Sequence, residues 1–128
     1  KMEQLFSQCD VISLHVHVTE ETKGFINEEM LSLSHKDLAI INTSRGEIIN
    51  EDAMERHIER RPGNMYATDV IAKEQDKERR SLILELLKTK PKQVIVTPHI
   101  AGMTSDAQEM AYGRAAKMLT DYLNEIDD

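Results

Sequence analysis

Apolar and polar positions along the chain fall into a repeating block pattern. Four short apolar runs recur, each followed by a segment of helical character, and that alternation predicts a parallel sheet with crossover helices. The first run is Val11-Ile12-Ser13-Leu14-His15-Val16; its helix follows Asn27, a good N-cap with Glu28 and Glu29 in the first turn, and reaches Leu33. The second is Leu38-Ala39-Ile40-Ile41-Asn42-Thr43, then Asn50 capping a helix from Glu51 to Arg60 that Pro62-Gly63 stops. Met65-Tyr66-Ala67-Thr68-Asp69-Val70 forms the third, leading through the charged, solvated stretch Lys73 to Arg80 into Ser81–Leu87. Val94-Ile95-Val96-Thr97 is the fourth, ended by Pro98 and followed by a helix from about Ser105 to Glu125. In that last helix Ala107, Met110, Ala111, Ala115, Met118, Leu119, Tyr122 and Ile126 make one apolar stripe, and Ser105 with Gln108 fits a capping box.

Strands this apolar are expected to be covered on both faces. Right-handed crossovers then bring every strand C-terminus to one edge, where open sheets of this kind hold ligands. The segments leaving that edge are His15-Val16-His17, Asn42-Thr43-Ser44-Arg45-Gly46, Asp69 to Glu74, and Thr97-Pro98-His99-Ile100-Ala101-Gly102. Arg45, Asp69, Glu74 and His99 thereby emerge from neighbouring strand ends on one rim.

Composition narrows the field. The 128 residues carry 16 Lys plus Arg against 23 Asp plus Glu, a net charge of −7, with no basic cluster. A phosphate backbone or an anionic membrane recruits proteins through basic patches, so neither nucleic acid nor membrane is an expected partner. An apolar share of 40% beside 30% charged residues suits a packed core rather than a disordered chain. Cys9 is the only cysteine, which rules out an intrachain disulfide and a thiolate zinc site and suits the cytoplasm. The opening residues hold no signal-like apolar run, and the start at Lys1 suggests a piece of a longer chain.

A cation, a carboxylate and an imidazole at one sheet edge suit a proton-coupled reaction on an anionic substrate. Arginine offers a two-pronged donor to a carboxylate, histidine gives or takes a proton near neutral pH, and a carboxylate behind it holds its tautomer. The same residues also admit a plain surface reading, in which Arg45 pairs with a nearby acid, His99 caps the turn after Pro98 and Glu74 is solvated. Other combinations carry less. His15 and His17 lack a third metal ligand, so no metal is expected; Ser44, His99 and Asp69 lack the elbow sequence of a hydrolase; the seven methionines read as core filler; and Cys9 reads as a buried small residue.

Four segments resemble the D-isomer-specific 2-hydroxyacid dehydrogenases: Asp10 to Val16, Ile41-Asn42-Thr43-Ser44-Arg45-Gly46-Glu47, Ala67-Thr68-Asp69-Val70 with an acid five residues after the Asp, and Thr97-Pro98-His99-Ile100-Ala101-Gly102. They occur in family order and at family-like spacing across nearly the whole chain. The resemblance implies an NAD-dependent oxidoreductase, with NADP the alternative, that moves a hydride between the cofactor and a small 2-hydroxy or 2-oxo acid. It implies that Arg45 binds the substrate carboxylate and carbonyl, that His99 is the acid/base, and that Glu74 hydrogen-bonds His99. It also implies that His15, Val16, His17, Thr43, Ser44, Arg45, Asp69, His99, Ala101 and Gly102 line the cofactor. His17 and Gln75 stand where the family usually has Pro.

The Gly-rich phosphate turn of that family has no counterpart. The five glycines are Gly24, Gly46, Gly63, Gly102 and Gly113, the closest pair 11 apart, so no G-x-G-x-x-G can be written. Measured against the family, residues 1–104 look like the C-terminal half of a Rossmann domain and 105–128 like the long helix leading toward a substrate domain. The expectation is therefore a partial Rossmann α/β fold from a homo-oligomeric, dimeric enzyme. The alternative is a non-catalytic α/β module acting in self-association or partner binding, because half a sheet exposes surfaces its missing helices would cover.

Overall fold

The computed structural model describes residues 2–76 and 80–127. In chain order the elements are α1 (Met2–Gln8), β1 (Val11–Leu14), α2 (Glu28–Ser32), β2 (Ala39–Asn42), a 3-10 turn (Gly46–Ile48), α3 (Glu51–Arg60), β3 (Met65–Thr68), α4 (Leu82–Thr89), β4 (Val94–Val96), a second 3-10 turn (Ala101–Met103) and α5 (Ser105–Asp127). The chain divides into two compact units, Lys1–Pro98 and His99–Asp128.

In the first unit the four apolar runs form four parallel strands in the order β1-β2-β3-β4. Each strand ends one or two residues earlier than its apolar run, because the next residues turn away to form the rim. Two of the three expected caps are present: the Asn27 side-chain oxygen accepts from the Met30 amide at 3.1 Å, and that of Asn50 from the Ala53 amide at 3.0 Å. At α4 the capping partner is non-local. Ser81 makes no side-chain cap bond, and a carboxylate oxygen of Glu51, in the first turn of α3, accepts from the Leu82 amide at 3.1 Å. Helix α1 was not expected from the pattern; Phe6, packed into the core, anchors it.

Sequential right-handed crossovers in one direction put every connecting helix on the same side of a sheet. The burial pattern agrees. Ile12, Ile40, Tyr66 and Val94, aligned across the four strands, are buried with Leu31 of α2, Ala53, Met54 and Ile58 of α3, and Ile83 and Leu86 of α4. The opposite face carries Val11, Ala39 and Met65 in one row and Ser13, Ile41, Ala67 and Ile95 in the next. There Val11 is 55% and Ile95 50% exposed, Ser13 is exposed as well, and Ala39, Ile41, Met65 and Ala67 are only half-buried. The expectation that both faces are covered is thus corrected: one face is covered, because all the crossovers run the same way.

The second unit consists of the short turn at Ala101–Met103 and the 23-residue α5. Its cap is Thr104, whose hydroxyl accepts from the Ala107 amide at 3.3 Å, rather than the expected Ser105 with Gln108. Ser105 is already helical and so stands one position too late to cap. Met110, Met118, Leu119 and Tyr122 of the expected stripe are exposed, as are Met2 and Met103. Of the methionines only Met54 is fully buried, which corrects the reading of the set as core filler. Cys9 is half-buried against the core. Within the charged stretch Lys73 to Arg80, residues 77–79 lie outside the described residues, and Lys73, Glu74, Gln75, Asp76 and Arg80 are exposed.

Candidate functional site

The C-terminal edge of the sheet rests on two polar residues in the covered row, Asn42 at the end of β2 and Thr68 at the end of β3. Asn42 is fully buried, and its side chain is spent on the turn that follows it. Its amide oxygen accepts from the Ser44 backbone at 3.0 Å and its amide nitrogen donates to the Arg45 carbonyl at 2.9 Å. That nitrogen also lies 3.4 Å from the Tyr66 hydroxyl, whose pKa burial pushes up and which therefore stays protonated beneath the turn. The Ser44 hydroxyl donates to the Leu14 carbonyl at 2.6 Å, tying the ends of β1 and β2 together.

The next strand end is fixed in the same manner. The Thr68 hydroxyl lies 2.6 Å from the Val70 carbonyl and 3.0 Å from that of Asn42, while the Asp69 amide donates to the Asn42 carbonyl at 3.0 Å. Asp69 is buried, and one of its carboxylate oxygens accepts from the Thr97 hydroxyl at 2.5 Å. The Thr97 amide in turn donates to the Thr68 carbonyl at 2.9 Å. Leu14, Asn42, Thr68 and Thr97 thus form a hydrogen-bonded line along the rim.

On this base Arg45 is exposed, with its guanidinium donating to the neighbouring Ser44 carbonyl at 2.7 Å. Gly46 explains the residue choice that follows: a Cβ there would stand 2.0 Å from the Ala72 nitrogen and 2.1 Å from the Ile71 carbonyl carbon. Only glycine lets the Arg45 turn lie against the backbone of the loop after β3. In that loop Lys73 has φ of 53°, a left-handed conformation uncommon outside glycine, and a Glu74 carboxylate oxygen accepts from the Ile71 amide at 2.6 Å.

The remaining expected residues fall as follows. The His15 ring is exposed and lies 2.9 Å from the Ser13 hydroxyl, Val16 and Thr43 are exposed, and the His17 carbonyl accepts from the Thr22 hydroxyl at 2.7 Å. His99, Ala101 and Gly102 belong to the second unit, where His99 also takes a left-handed φ, of 54°. The first unit therefore brings Ser44, Arg45, Asp69 and Glu74 to one rim, and His99 opens the next unit two residues beyond Thr97. Sequence reasoning missed Asn42, Thr68 and Thr97 as the frame beneath that rim. For Asn42 and Thr68 the available signal was a polar residue at the inward position of an otherwise apolar strand; Thr97 lies just past β4 and is exposed. Among the described residues no group of three His, Cys, Asp or Glu side chains is placed to hold a metal ion, and no helix is long and apolar enough to cross a membrane.

A parallel sheet whose C-terminal rim carries the Asn42–Gly46 turn and the buried Asp69 defines a dinucleotide-type α/β fold. The family model for the D-isomer specific 2-hydroxyacid dehydrogenase NAD binding domain matches residues 1–101, and the chain belongs to that family. It is 33% identical over 97% of its length to a putative 2-hydroxyacid dehydrogenase of Haemophilus influenzae, covering 39% of that protein. It is 37% identical over 95% of its length to a D-3-phosphoglycerate dehydrogenase of Synechocystis, covering 21% of it. Among solved structures, the D-lactate dehydrogenase of Aquifex aeolicus complexed with NAD and lactic acid superposes with a TM-score of 0.75 at 31% identity, covering 97% of this chain and 40% of that one. The chain thus spans less than half the length of these relatives.

The rim suits one end of the family's cofactor. Its exposed groups, the Thr43 hydroxyl and the Arg45 guanidinium, stand on a backbone held from below and are hydrogen-bond donors, from which the oxygens of a nicotinamide nucleoside can accept. No Gly-rich turn for the pyrophosphate occurs in these 128 residues.

Proposed function

We propose that this chain supplies the nicotinamide-side wall and the catalytic residues of an NAD-dependent oxidoreductase that interconverts a small D-2-hydroxy acid and its 2-oxo acid, with NADP the alternative cofactor. The observation that carries the reading is the Arg45 turn: a guanidinium at the strand rim, its backbone fixed by buried Asn42 and its successor pressed against the loop that bears Glu74. Bound cofactor supplies or accepts the hydride at substrate C2. Arg45 grips the substrate carboxylate with two parallel N–H donors, exchanging its weak surface bond to Ser44 for a charged partner. His99 gives a proton to the carbonyl oxygen in reduction and takes one from the hydroxyl in oxidation. Glu74 accepts from the other ring nitrogen of His99, which fixes the tautomer. His15, Val16, His17, Thr43, Ser44, Arg45, Asp69, His99, Ala101 and Gly102 line the cofactor. Residues 1–104 act as half of the dinucleotide domain and 105–128 as a helix leading to a substrate domain.

In the protein that carries this chain, Arg45→Gln lowers kcat/KM for a 2-oxo acid by about 10² to 10³, since truncating one member of a charged pair costs 2–5 kcal/mol. The NADH dissociation constant changes far less, because the other residues of the cofactor wall are untouched. A variant that keeps wild-type kcat/KM contradicts the role of Arg45.

One observation favours a second reading, an association module. Apart from the exposed Ser13, the open sheet face is apolar from Val11 to Ile95, and surfaces of that kind mark contacts with another chain. Sedimentation of the chain at rising concentration tests it: a shift from monomer to dimer supports self-association, and an unchanging monomer opposes it.

A further inference from the structure

The two loops that carry Arg45 and Glu74 are fastened to each other by a residue with no part in the proposed chemistry. Glu47 follows Gly46 directly, is half-buried, and reaches across 26 positions of sequence, where its carboxylate oxygen accepts from the Lys73 amide at 3.1 Å. Its own carbonyl is held by the Gly24 amide at 2.8 Å, so the residue is anchored on the side of the Arg45 turn. Lys73 is the position in the Glu74 loop with a left-handed φ, 53°, which a lysine adopts only when its surroundings enforce it. Beside this bond the bare Cα of Gly46 lies against the Ile71–Ala72 peptide.

We propose that Glu47 is a positioning residue that locks the Glu74 loop to the Arg45 turn by holding Lys73 in its left-handed conformation. A carboxylate on a backbone N–H is stronger than a neutral acceptor, and it acts at the residue immediately before Glu74. With the lock closed, the carboxylate behind the imidazole and the guanidinium on the substrate keep a fixed spacing. The catalytic consequence rests on the functional reading above; the lock itself does not.

Two measurements separate the two. In the protein that carries this chain, Glu47→Ala raises hydrogen exchange at the Lys73 amide about tenfold, the loss expected for one hydrogen bond. Glu47→Gln, which keeps an acceptor oxygen at the same reach, stays near wild type. Lys73→Gly added to Glu47→Ala restores turnover to near wild type, because glycine takes a positive φ without strain. Where Glu47→Ala raises exchange throughout β2 as well, Glu47→Asp, shorter by one methylene, gives the local rise alone. Unchanged exchange at Lys73 in Glu47→Ala or Glu47→Asp overturns the lock.

The second readout is the split between kcat and KM for a 2-oxo acid. Glu47→Ala lowers kcat about tenfold and leaves KM near wild type, and both Glu47→Gln and the Lys73→Gly double variant return kcat. A kcat that stays put while Lys73 exchange rises overturns the positioning role. A wild-type protein without turnover contradicts the functional reading alone, since the exchange result still decides the lock.

Discussion

Gly46 is closely confined by the loop after β3. A methyl group there would overlap the Ile71–Ala72 peptide, two backbone groups that cannot swing aside as a side chain can. Gly46→Ala should therefore separate the two loops and destabilise the fold by about 1–3 kcal/mol, the usual cost of overpacking, read as a lower urea midpoint. An unchanged midpoint would mean that the loops part freely. His57 makes a second prediction at this scale. It is fully buried in α3, its Nε2 lies 3.2 Å from the Leu38 carbonyl and its Nδ1 3.4 Å from the Asn64 side-chain nitrogen, and burial pushes its pKa below the ordinary 6.5. The neutral ring, donating to Leu38 and accepting from Asn64, is the form that folds. The unfolded chain then binds the extra proton, so this contribution is complete above about pH 6.5 and is lost as pH falls toward the lowered folded value. Thermal melts from pH 7.5 to 5.5 should show a falling Tm that flattens in His57→Gln. An equal fall in both proteins would place the proton elsewhere.

Among the elements, what depends on near neighbours was legible and what depends on distant ones was not. The Asn27 and Asn50 caps are bonds to a residue three positions on, so the local sequence contains both partners. Asn50→Ala should cost about 1 kcal/mol, with most of it kept in Asn50→Asp, and a chemical denaturation series reads the difference. The cap of α4 was illegible because Glu51 supplies it from 31 residues away. Glu51→Ala should consequently loosen two helices, raising amide exchange at Leu82 as well as in the first turn of α3. Exchange confined to α3 would contradict that link. The uncovered sheet face was misjudged for a related reason. Ala39-Ile40-Ile41-Asn42 is apolar on both sides, so its alternating burial comes from where the helices lie and not from its own pattern. Helix α1 was overlooked although Met2, Phe6 and Cys9 recur at helical spacing, because a run that short has little intrinsic stability without the core contact Phe6 makes.

Across the whole molecule, sequence motifs located the rim but not its support. The segments around Arg45, Asp69 and His99 were recognisable as a set, whereas Asn42, Thr68 and Thr97 take their meaning from hydrogen bonds between neighbouring strand ends. Glu47 likewise acts across 26 positions and looks like one more surface acid in the sequence alone. The family match over residues 1–101 places the chain with the D-isomer specific 2-hydroxyacid dehydrogenase NAD binding domain, and its sheet leaves one face open. The central claim is that His99 is the acid/base of a 2-oxo acid reduction on that rim. The most direct test is single-turnover reduction by His99→Ala in the protein that carries this chain, with NADH affinity measured by calorimetry on the same sample. The account predicts that NADH still binds, with a dissociation constant changed far less than the rate, and that hydride transfer is slower by about 10² to 10⁴, the usual contribution of a general acid. A wild-type rate in that variant would contradict it.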